Sequence, residues 1–142
     1  KSVYDTPHRS VYLMTQRLQR HPFLALFDGP DTNTTTEQRP VSTVPQQALH
    51  LMNSPEMQKL AEAFANRLLA AASLNADRIR QAHLICYGRP ALADEVSRGE
   101  HYLKRYLDEA RIAGASSEQA ERQSWTSYAR ILMSANEFVY VD

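Results

Sequence analysis

The distribution of proline divides this chain into two parts. Four of the seven prolines lie between residues 23 and 55, in FLALFDGPDTNTTTEQRPVSTVPQQALHLMNSP. Proline fixes φ and removes an amide donor, so a long helix cannot run through such a segment. A Phe-Asp-Gly-Pro-Asp turn and a run of Thr and Asn add further breaks. The N-terminal third is therefore predicted to be irregular, and long helices are predicted after residue 45.

Within the N-terminal third, the residues allow short elements. The stretch 10–15 is dense in β-branched and aromatic residues and suits an extended strand. A helix through Leu18 is equally allowed, because Val11, Met14 and Leu18 share one helical face. Pro22 interrupts it, because the residue before a proline is pushed out of the α region. The stretch 23–27 is long enough for one or two helical turns before Gly29 breaks the chain.

Start and stop signals predict the helices that follow. Pro45 suits the first turn of a short helix, and Ser54 before Pro55 is a typical N-cap and first-turn pair. Asn75 is the predicted cap of the next helix, and Gly88 its end. The predicted inward residues of the longer helices are Met57, Leu60, Ala61, Phe64 and Leu68; Val96, Leu103, Tyr106, Leu107 and Ala110; and Trp125, Tyr128, Ala129 and Leu132.

These patterns predict an all-α fold. Four main helices with short connections after residue 45 favour an antiparallel helical bundle, preceded by an irregular third with a long polar loop. A length of 142 residues suits a single domain. We predict an irregular arm and loop over 1–44, a helical bundle over 45–135 and a docked tail over 136–142. The abrupt start at Lys1 favours a piece from the C-terminus of a longer protein.

The charges argue against one common class of partner. Sixteen basic residues balance sixteen acidic ones, and each half of the chain is close to balance. A nucleic-acid-binding domain normally carries a clustered basic surface, so no nucleic-acid partner is predicted. No apolar run reaches the length of a membrane span, and direct membrane insertion is not predicted either. The composition leaves the oligomeric state open.

Cysteine and histidine offer little chemistry. The single cysteine, Cys86, lies in an apolar helical stretch and is interpreted as a buried, inert thiol. No two of the five histidines stand three or four residues apart, so no helical face presents a pair of metal ligands. His50 and His83 are interpreted as packing or hydrogen-bonding residues. No catalytic residue and no cofactor are predicted for this chain.

The polar loop contains the main candidates for a site. Asp28, Asp31 and Asn33 surround a Gly-Pro turn and offer the oxygen ligands that calcium prefers. The EF-hand pattern fails, because Thr36 stands where that loop needs a glycine. The alternative interpretation is that these side chains form Asx turns that satisfy loop amides. Calcium is therefore a weak candidate for these three residues.

Arginine is the expected partner of the two loop aspartates, Asp28 and Asp31. We predict that Arg39 or Arg9 pairs with one of them and pins the loop, because a guanidinium binds a carboxylate through two parallel hydrogen bonds. The alternative is that Arg39 holds an anionic ligand. Asn53, just before the next helix start, completes this set of ligand-binding or loop-pinning candidates.

Four aromatic residues at helical spacing admit two interpretations. Tyr102, Tyr106, Trp125 and Tyr128 would suit a platform on which sugars stack. At this spacing, however, aromatic residues most often belong to a helical core. We therefore predict that they are core residues.

Several short strings, taken together, resemble one family. They are His8-Arg-Ser-Val-Tyr-Leu, Leu26-Phe-Asp-Gly-Pro-Asp31, Val41-Ser-Thr-Val-Pro-Gln-Gln-Ala-Leu49 with Met52-Asn-Ser-Pro, Cys86-Tyr-Gly-Arg-Pro90, and Asn136-Glu-Phe-Val-Tyr-Val. Each string is short, but their order over nearly the whole chain makes the combination specific. The chain resembles the planctomycetal C-terminal domain of unknown function 1553.

The resemblance implies a setting but no activity. It implies a helical C-terminal module of a large extracytoplasmic protein, exported through a signal elsewhere in the parent chain. It also implies neighbouring domains, one of unknown function and often one similar to c-type cytochromes. The haem-attachment string Cys-x-x-Cys-His does not occur in this chain, so any haem is expected in another domain.

Three functions remain as hypotheses. The leading one is a non-catalytic interaction module that packs against other domains of its own parent chain, with the 23–45 loop in the contact, because no complete catalytic set is present. The second is a ligand- or substrate-binding part of an extracytoplasmic enzyme whose site is shared between domains. The third is a calcium-stabilised module.

Overall fold

The computed structural model describes residues 9–12, 17–18, 21–29, 31, 33–35, 37 and 45–139. All regular secondary structure in these ranges is helical, which confirms the all-α class. The chain groups into two compact units, Lys1–Ala48 and Leu49–Asp142, and each is described by itself. The single-domain boundaries and the antiparallel course of the bundle stay predictions.

Eight helical elements lie in the described residues. They are a 3-10 helix Ser10–Tyr12, α1 Pro22–Leu26, α2 Pro45–Asn53, α3 Pro55–Ala71, α4 Asn75–Tyr87, α5 Ala93–Ile112, α6 Ser117–Met133 and α7 Asn136–Val139. Helices α3 to α6 are the longest, with 13 to 20 residues each, and they correspond to the four main helices predicted after residue 45. None of the described helices is long and apolar enough to cross a membrane.

The end of α1 determines the conformation of one predicted site residue. The Gly29 amide donates to the carbonyl oxygen of Leu24, the bond that closes a Schellman-type helix end. Asp28 takes the left-handed position of that motif, with a φ of 54°, and aspartate is one of the few non-glycine residues that adopt it. A Cβ on Gly29 would lie 2.6 Å from the Leu24 carbonyl oxygen, so a glycine has to follow Asp28.

Most predicted helix ends of the second unit lie where their capping residues indicate. Ser54 Oγ accepts a hydrogen bond from the Met57 amide at 3.1 Å and caps α3. Gly88 follows α4 in the left-handed conformation, with a φ of 68°. The prediction that Asn75 caps α4 is wrong by one residue. Leu74 already has the extended cap conformation, so Asn75 becomes the first helical residue.

The core of the second unit forms where α6 packs against α3, α4 and α5. Trp125 and Tyr128 on α6 are buried and Tyr102 packs against the core, which confirms the core prediction for these three aromatic residues. Tyr106 is only partly buried and belongs to neither core cluster, so the prediction is wrong for it. The main core cluster consists of Ala65, Leu68, Ile79, Ala82, Val96, Leu103, Trp125, Tyr128 and Leu132. A second cluster consists of Met57, Ala61, Ala129 and Met133.

The predicted stripe of α3 contains one error. Leu60 is 54% exposed, whereas Ala65 is fully buried. Met57, Ala61 and Ala65 are buried and lie four residues apart, so they follow one face of the helix toward its end. Leu60 lies outside this buried face. The large apolar side chain of Leu60 therefore points away from the core.

The predicted tail begins with a short helix. Residues 136–139 form α7, which contacts α4 and α6. Residues 140–142 lie outside the described residues. The position of α7 matters for the site, because it brings an acidic side chain toward the end of α4.

Candidate functional site

In the polar loop, two predicted site residues form local structure. Asp31 Oδ1 accepts a hydrogen bond from the Asn33 amide at 2.9 Å, which is the Asx turn given above as the alternative to calcium. Asn33 Nδ2 donates to the backbone carbonyl oxygen of Arg17 at 3.0 Å and ties the loop to the segment before α1. An asparagine amide therefore pins this part of the loop.

The backbone positions of three other predicted candidates are described. Asp28 ends α1, the carbonyl oxygen of Arg9 accepts the Tyr12 amide at 2.9 Å, and Asn53 is the exposed last residue of α2. Arg39 lies outside the described residues, so a pairing of either arginine with the aspartates stays a prediction. No group of three or more His, Cys, Asp and Glu side chains is arranged to hold a metal in the part of the chain that the structure describes.

A dense charged contact in the second unit was not predicted from the sequence. Arg89, in the turn between α4 and α5, binds both Glu95 of α5 and Glu137 of α7. Its Nη2 and Nη1 donate to Glu95 Oε1 and Oε2 at 2.8 and 2.9 Å. Its Nε and Nη2 donate to Glu137 Oε1 and Oε2 at 2.6 and 2.9 Å. These three residues are called the Arg89 clamp below.

Each N–H of the Arg89 guanidinium has an acceptor. A guanidinium offers five N–H donors, and the four bonds to the carboxylates use four of them. The fifth donates from Nη1 to the carbonyl oxygen of Pro90 at 3.2 Å. The guanidinium also lies over the Tyr87 ring, 5.6 Å from its centroid. Arg89 therefore has no donor left for a ligand.

Glu95 connects the clamp to the start of α5. Its Oε2 also accepts the Leu92 amide at 2.7 Å, which satisfies one of the unpaired amides at the helix N-terminus. The hydrogen bonds from Arg89, supported by the Leu92 amide, lower the pKa of Glu95 to about 2. Hydrogen bonds from Arg89 also lower the pKa of Glu137. Both carboxylates are therefore ionised at neutral and mildly acidic pH.

A buried histidine lies behind Glu95. His83 is 4% exposed, and its Nε2 lies 3.4 Å from the hydroxyl oxygen of Tyr128. Its Nδ1 lies 3.5 Å from Glu95 Oε2 but has no hydrogen-bond partner among the described residues. Burial lowers the pKa of His83 in spite of the nearby Glu95 carboxylate, so the ring is neutral at pH 7. The structure agrees with the interpretation of His83 as a packing residue.

A cleft of about 360 Å³ opens beside these residues. Side chains from α4, α5, α6 and α7 line it, among them His83, Tyr102, Ile131 and Glu137. Its volume lies within the range of small-molecule sites, which are typically apolar with a few polar groups. The cleft is therefore the part of the second unit in which reactive groups have to be sought.

Two tyrosines that line the cleft, and the cysteine next to one of them in sequence, are poor nucleophiles. Burial raises the pKa of Cys86 to about 11 and that of Tyr87 to about 12. Burial also raises the pKa of Tyr128. All three groups stay protonated at neutral pH, whereas covalent catalysis by a thiol or phenol needs a lowered pKa or an adjacent base. The interpretation of Cys86 as an inert thiol agrees with this environment, although the residue is only partly buried.

A second, more polar groove of about 450 Å³ is lined by residues of α3, α5 and α6. Arg130 Nη1 donates to Gln58 Oε1 at 3.3 Å, and Gln58 Nε2 donates to Glu62 Oε1 at 2.9 Å. These bonds join α6 to α3 at the surface. The groove therefore also uses polar side chains for contacts within the fold.

The fold and its charged cluster define an all-α module whose densest polar site is engaged in internal contacts. The family PSD1, described as protein of unknown function (DUF1553), matches residues 1–103, and the chain belongs to this family. The matched residues include His83, Arg89 and Glu95, and Glu137 lies beyond them. No curated protein and no solved structure matches the chain.

The sequence carried partial signals for the clamp. Arg89 stands between Gly88 and Pro90, in one of the strings on which the family resemblance rests. Glu95 lies in the first turn of a predicted helix, where a carboxylate can accept an unpaired amide. Glu137 is 48 residues from Arg89 and carries no local sign of this contact.

Proposed function

We propose that this chain is a non-catalytic interaction module at the C-terminus of a multidomain extracytoplasmic protein, where it packs against other domains of its own parent chain. The observation that carries the proposal is the saturation of Arg89, whose five donors all bind acceptors within the fold. A guanidinium used in this way stabilises the turn between α4 and α5 and leaves no donor for a substrate.

Exposed apolar side chains supply a surface for such a contact. Leu49 and Met52 stand three residues apart on α2, and Leu60 follows on α3; each is more than half exposed. A single exposed apolar residue is ordinary, but three large ones on consecutive helices suit the apolar centre of a domain interface. The 23–45 loop is the second part of the proposed contact.

The proposed location and cofactor content follow from the family resemblance. The parent protein is proposed to be extracytoplasmic, as the resemblance implies. The module itself is proposed to bind no cofactor, and any haem is proposed to belong to another domain of the parent.

The test measures association between this chain and the remainder of its parent protein, produced separately. Isothermal titration calorimetry is expected to give a dissociation constant of about 1 μM or lower, and Leu60→Ser is expected to weaken binding at least about tenfold by removing apolar contact area. Ile112→Ser is the matched control, because Ile112 is also exposed but lies at the end of α5. The control should bind like the wild type.

Two outcomes would contradict the interaction module. One is the lack of measurable association between the wild-type chain and the remainder of the parent. The other is an activity of the parent protein that Arg98→Ala abolishes, while the affinity of the chain for the remainder of the parent stays unchanged. Arg98 lines the cleft, so this second result would favour the shared-site alternative.

A further inference from the structure

Helix α7 has few attachments to the second unit. It has four residues, none of them fully buried, and it contacts α4 and α6. Through Glu137 it binds Arg89, and through Arg89 it is linked to Glu95 of α5. The Arg89 clamp is therefore a polar attachment that joins α7 to the α4–α5 turn and to α5.

His83 lies where a proton would disturb this clamp. Glu95 Oε2 already accepts hydrogen bonds from Arg89 Nη1 and from the Leu92 amide. The Nδ1 atom of His83 is 3.5 Å from the same oxygen. A protonated imidazole would bring a third donor and a positive charge to that oxygen, so it would compete with Arg89 and repel it.

We propose that His83 and the Arg89 clamp form a pH-sensitive latch, which holds α7 against the second unit near neutral pH and releases it on mild acidification. In the open state only α7 detaches, and the rest of the second unit stays folded. It does not depend on the interaction function proposed above.

Burial and the charges around His83 together determine the direction in which its pKa shifts. The groups that face it are Tyr87 and Arg89 at the end of α4, Glu95 on α5, Tyr128 on α6 and Glu137 on α7. Burial, the largest influence, and the positive charge of Arg89 lower the pKa of His83, while the two carboxylates raise it. The net effect is a lowered pKa in the closed state.

The sign of the pH dependence follows from this lowered pKa. His83 and Glu137 line the same cleft, and the proposal is that release of α7 opens this cleft to water. The pKa of the hydrated ring then returns toward the ordinary value of 6.5, so the open state binds protons more tightly than the closed state. The closed latch is therefore fully stable above pH 6.5 and weakens as the pH falls below it. At pH 5.5 an exposed imidazole is about tenfold more protonated than neutral, so acidification from pH 7.5 raises the open population by up to about tenfold.

Hydrogen exchange of α7 tests the latch directly. The amides of Phe138 and Val139 donate to the Ala135 carbonyl oxygen at 3.0 and 3.2 Å, so their protection reports closure of α7. NMR protection factors, corrected for intrinsic exchange rates, are compared at pH 7.5 and 5.5. In the wild type they are expected to fall by up to about tenfold. In His83→Gln, which does not titrate, the fall should disappear.

Two further variants separate the latch from general acid effects. Glu137→Gln weakens the bond to Arg89 and should leave the α7 amides poorly protected at both pH values. His101→Gln removes an exposed histidine of α5 and is the matched control; it should behave like the wild type. The carboxylates of the clamp stay ionised across this window because their pKa values are lowered.

Three results would overturn the proposal. The first is equal α7 protection at both pH values in the wild type, and the second is a persistent fall in His83→Gln. The third is a parallel loss of protection in α3 and α6, which would mean global unfolding. If His83→Gln does not fold, the ¹³C-labelled imidazole of wild-type His83 is titrated instead. Its midpoint should coincide with the loss of α7 protection, and a different midpoint would equally overturn the latch.

Discussion

Gly99 on α5 leaves space for a side chain of α6. A glycine inside a helix costs about 1 kcal/mol relative to alanine, so its presence in α5 needs a reason. A Cβ at this position would lie 2.9 Å from both the Tyr128 hydroxyl oxygen and Ile79 Cδ1. The ring of Tyr128 also packs edge-on against Trp125, with centroids 5.8 Å apart. Gly99 therefore makes room for an aromatic core residue that the spacing within α5 does not indicate.

Gly99→Ala is expected to lower the free energy of unfolding by about 1–3 kcal/mol, because the added Cβ overpacks this contact. At an exposed helical position the same change would instead stabilise by about 0.5–1 kcal/mol. Urea unfolding followed by Trp125 fluorescence measures the difference. Ser97→Ala on the exposed side of α5 is the control and should stay within about 0.5 kcal/mol of the wild type. A stabilised Gly99→Ala variant would contradict the close approach of Tyr128.

At the scale of the element, the turn between α4 and α5 combines predictable ends with an unpredicted centre. Gly88 after α4 and the start of α5 near Ala93 follow from local start and stop signals. The ion pairs of Arg89 within this turn do not follow from local signals, because one of the two carboxylates that Arg89 binds comes from α7. The contact between Arg89 and α7 that stabilises this turn therefore depends on where α7 packs.

Acid is expected to weaken this turn through Glu95. Because the folded pKa of Glu95, about 2, is below the ordinary 4.5, its contribution to stability is present above pH 4.5 and is lost as the pH falls toward 2. Urea midpoints measured across this window should fall less in Glu95→Gln than in the wild type. Glu100→Gln, exposed on the same helix, should follow the wild type. Identical slopes in Glu95→Gln and the wild type would show that Glu95 is not held by Arg89 in solution.

For the whole molecule, calcium dependence is the open question about the polar loop. Asp31 already accepts the Asn33 amide, and the backbone of Asp28 terminates α1. Oxygen ligands for calcium must be free to converge on one ion, and the Asp31 carboxylate serves a loop amide instead. Whether calcium stabilises the module stays a prediction to be tested.

Millimolar calcium is accordingly expected to leave the Tm of the chain unchanged. Thermal unfolding followed by circular dichroism, with magnesium chloride as the control for ionic strength, measures this. A Tm raised by more than about 2 °C in calcium alone would support the calcium-stabilised alternative, because a ligand stabilises the state that binds it.

The sequence by itself determined the helical class and most helix ends of the second unit. The signals behind those predictions, such as Ser54 before Pro55 or Gly88 after α4, act on the backbone within a few residues of themselves. Leu60, predicted inward but exposed, shows the limit of periodicity. Apolar residues can suggest several similar inward faces on one helix, and only the packing of a neighbouring element selects one of them.

Only the tertiary structure decided what the polar residues do. Arg89 and Glu137 are 48 residues apart, and His83 and Tyr128 are 45 apart, so neither pair leaves a local pattern. Their contacts depend on how α4, α5, α6 and α7 pack together. Burial then lowers the pKa of His83, and the clamp lowers that of Glu95. These are properties of the packed environment, which no short stretch of sequence encodes.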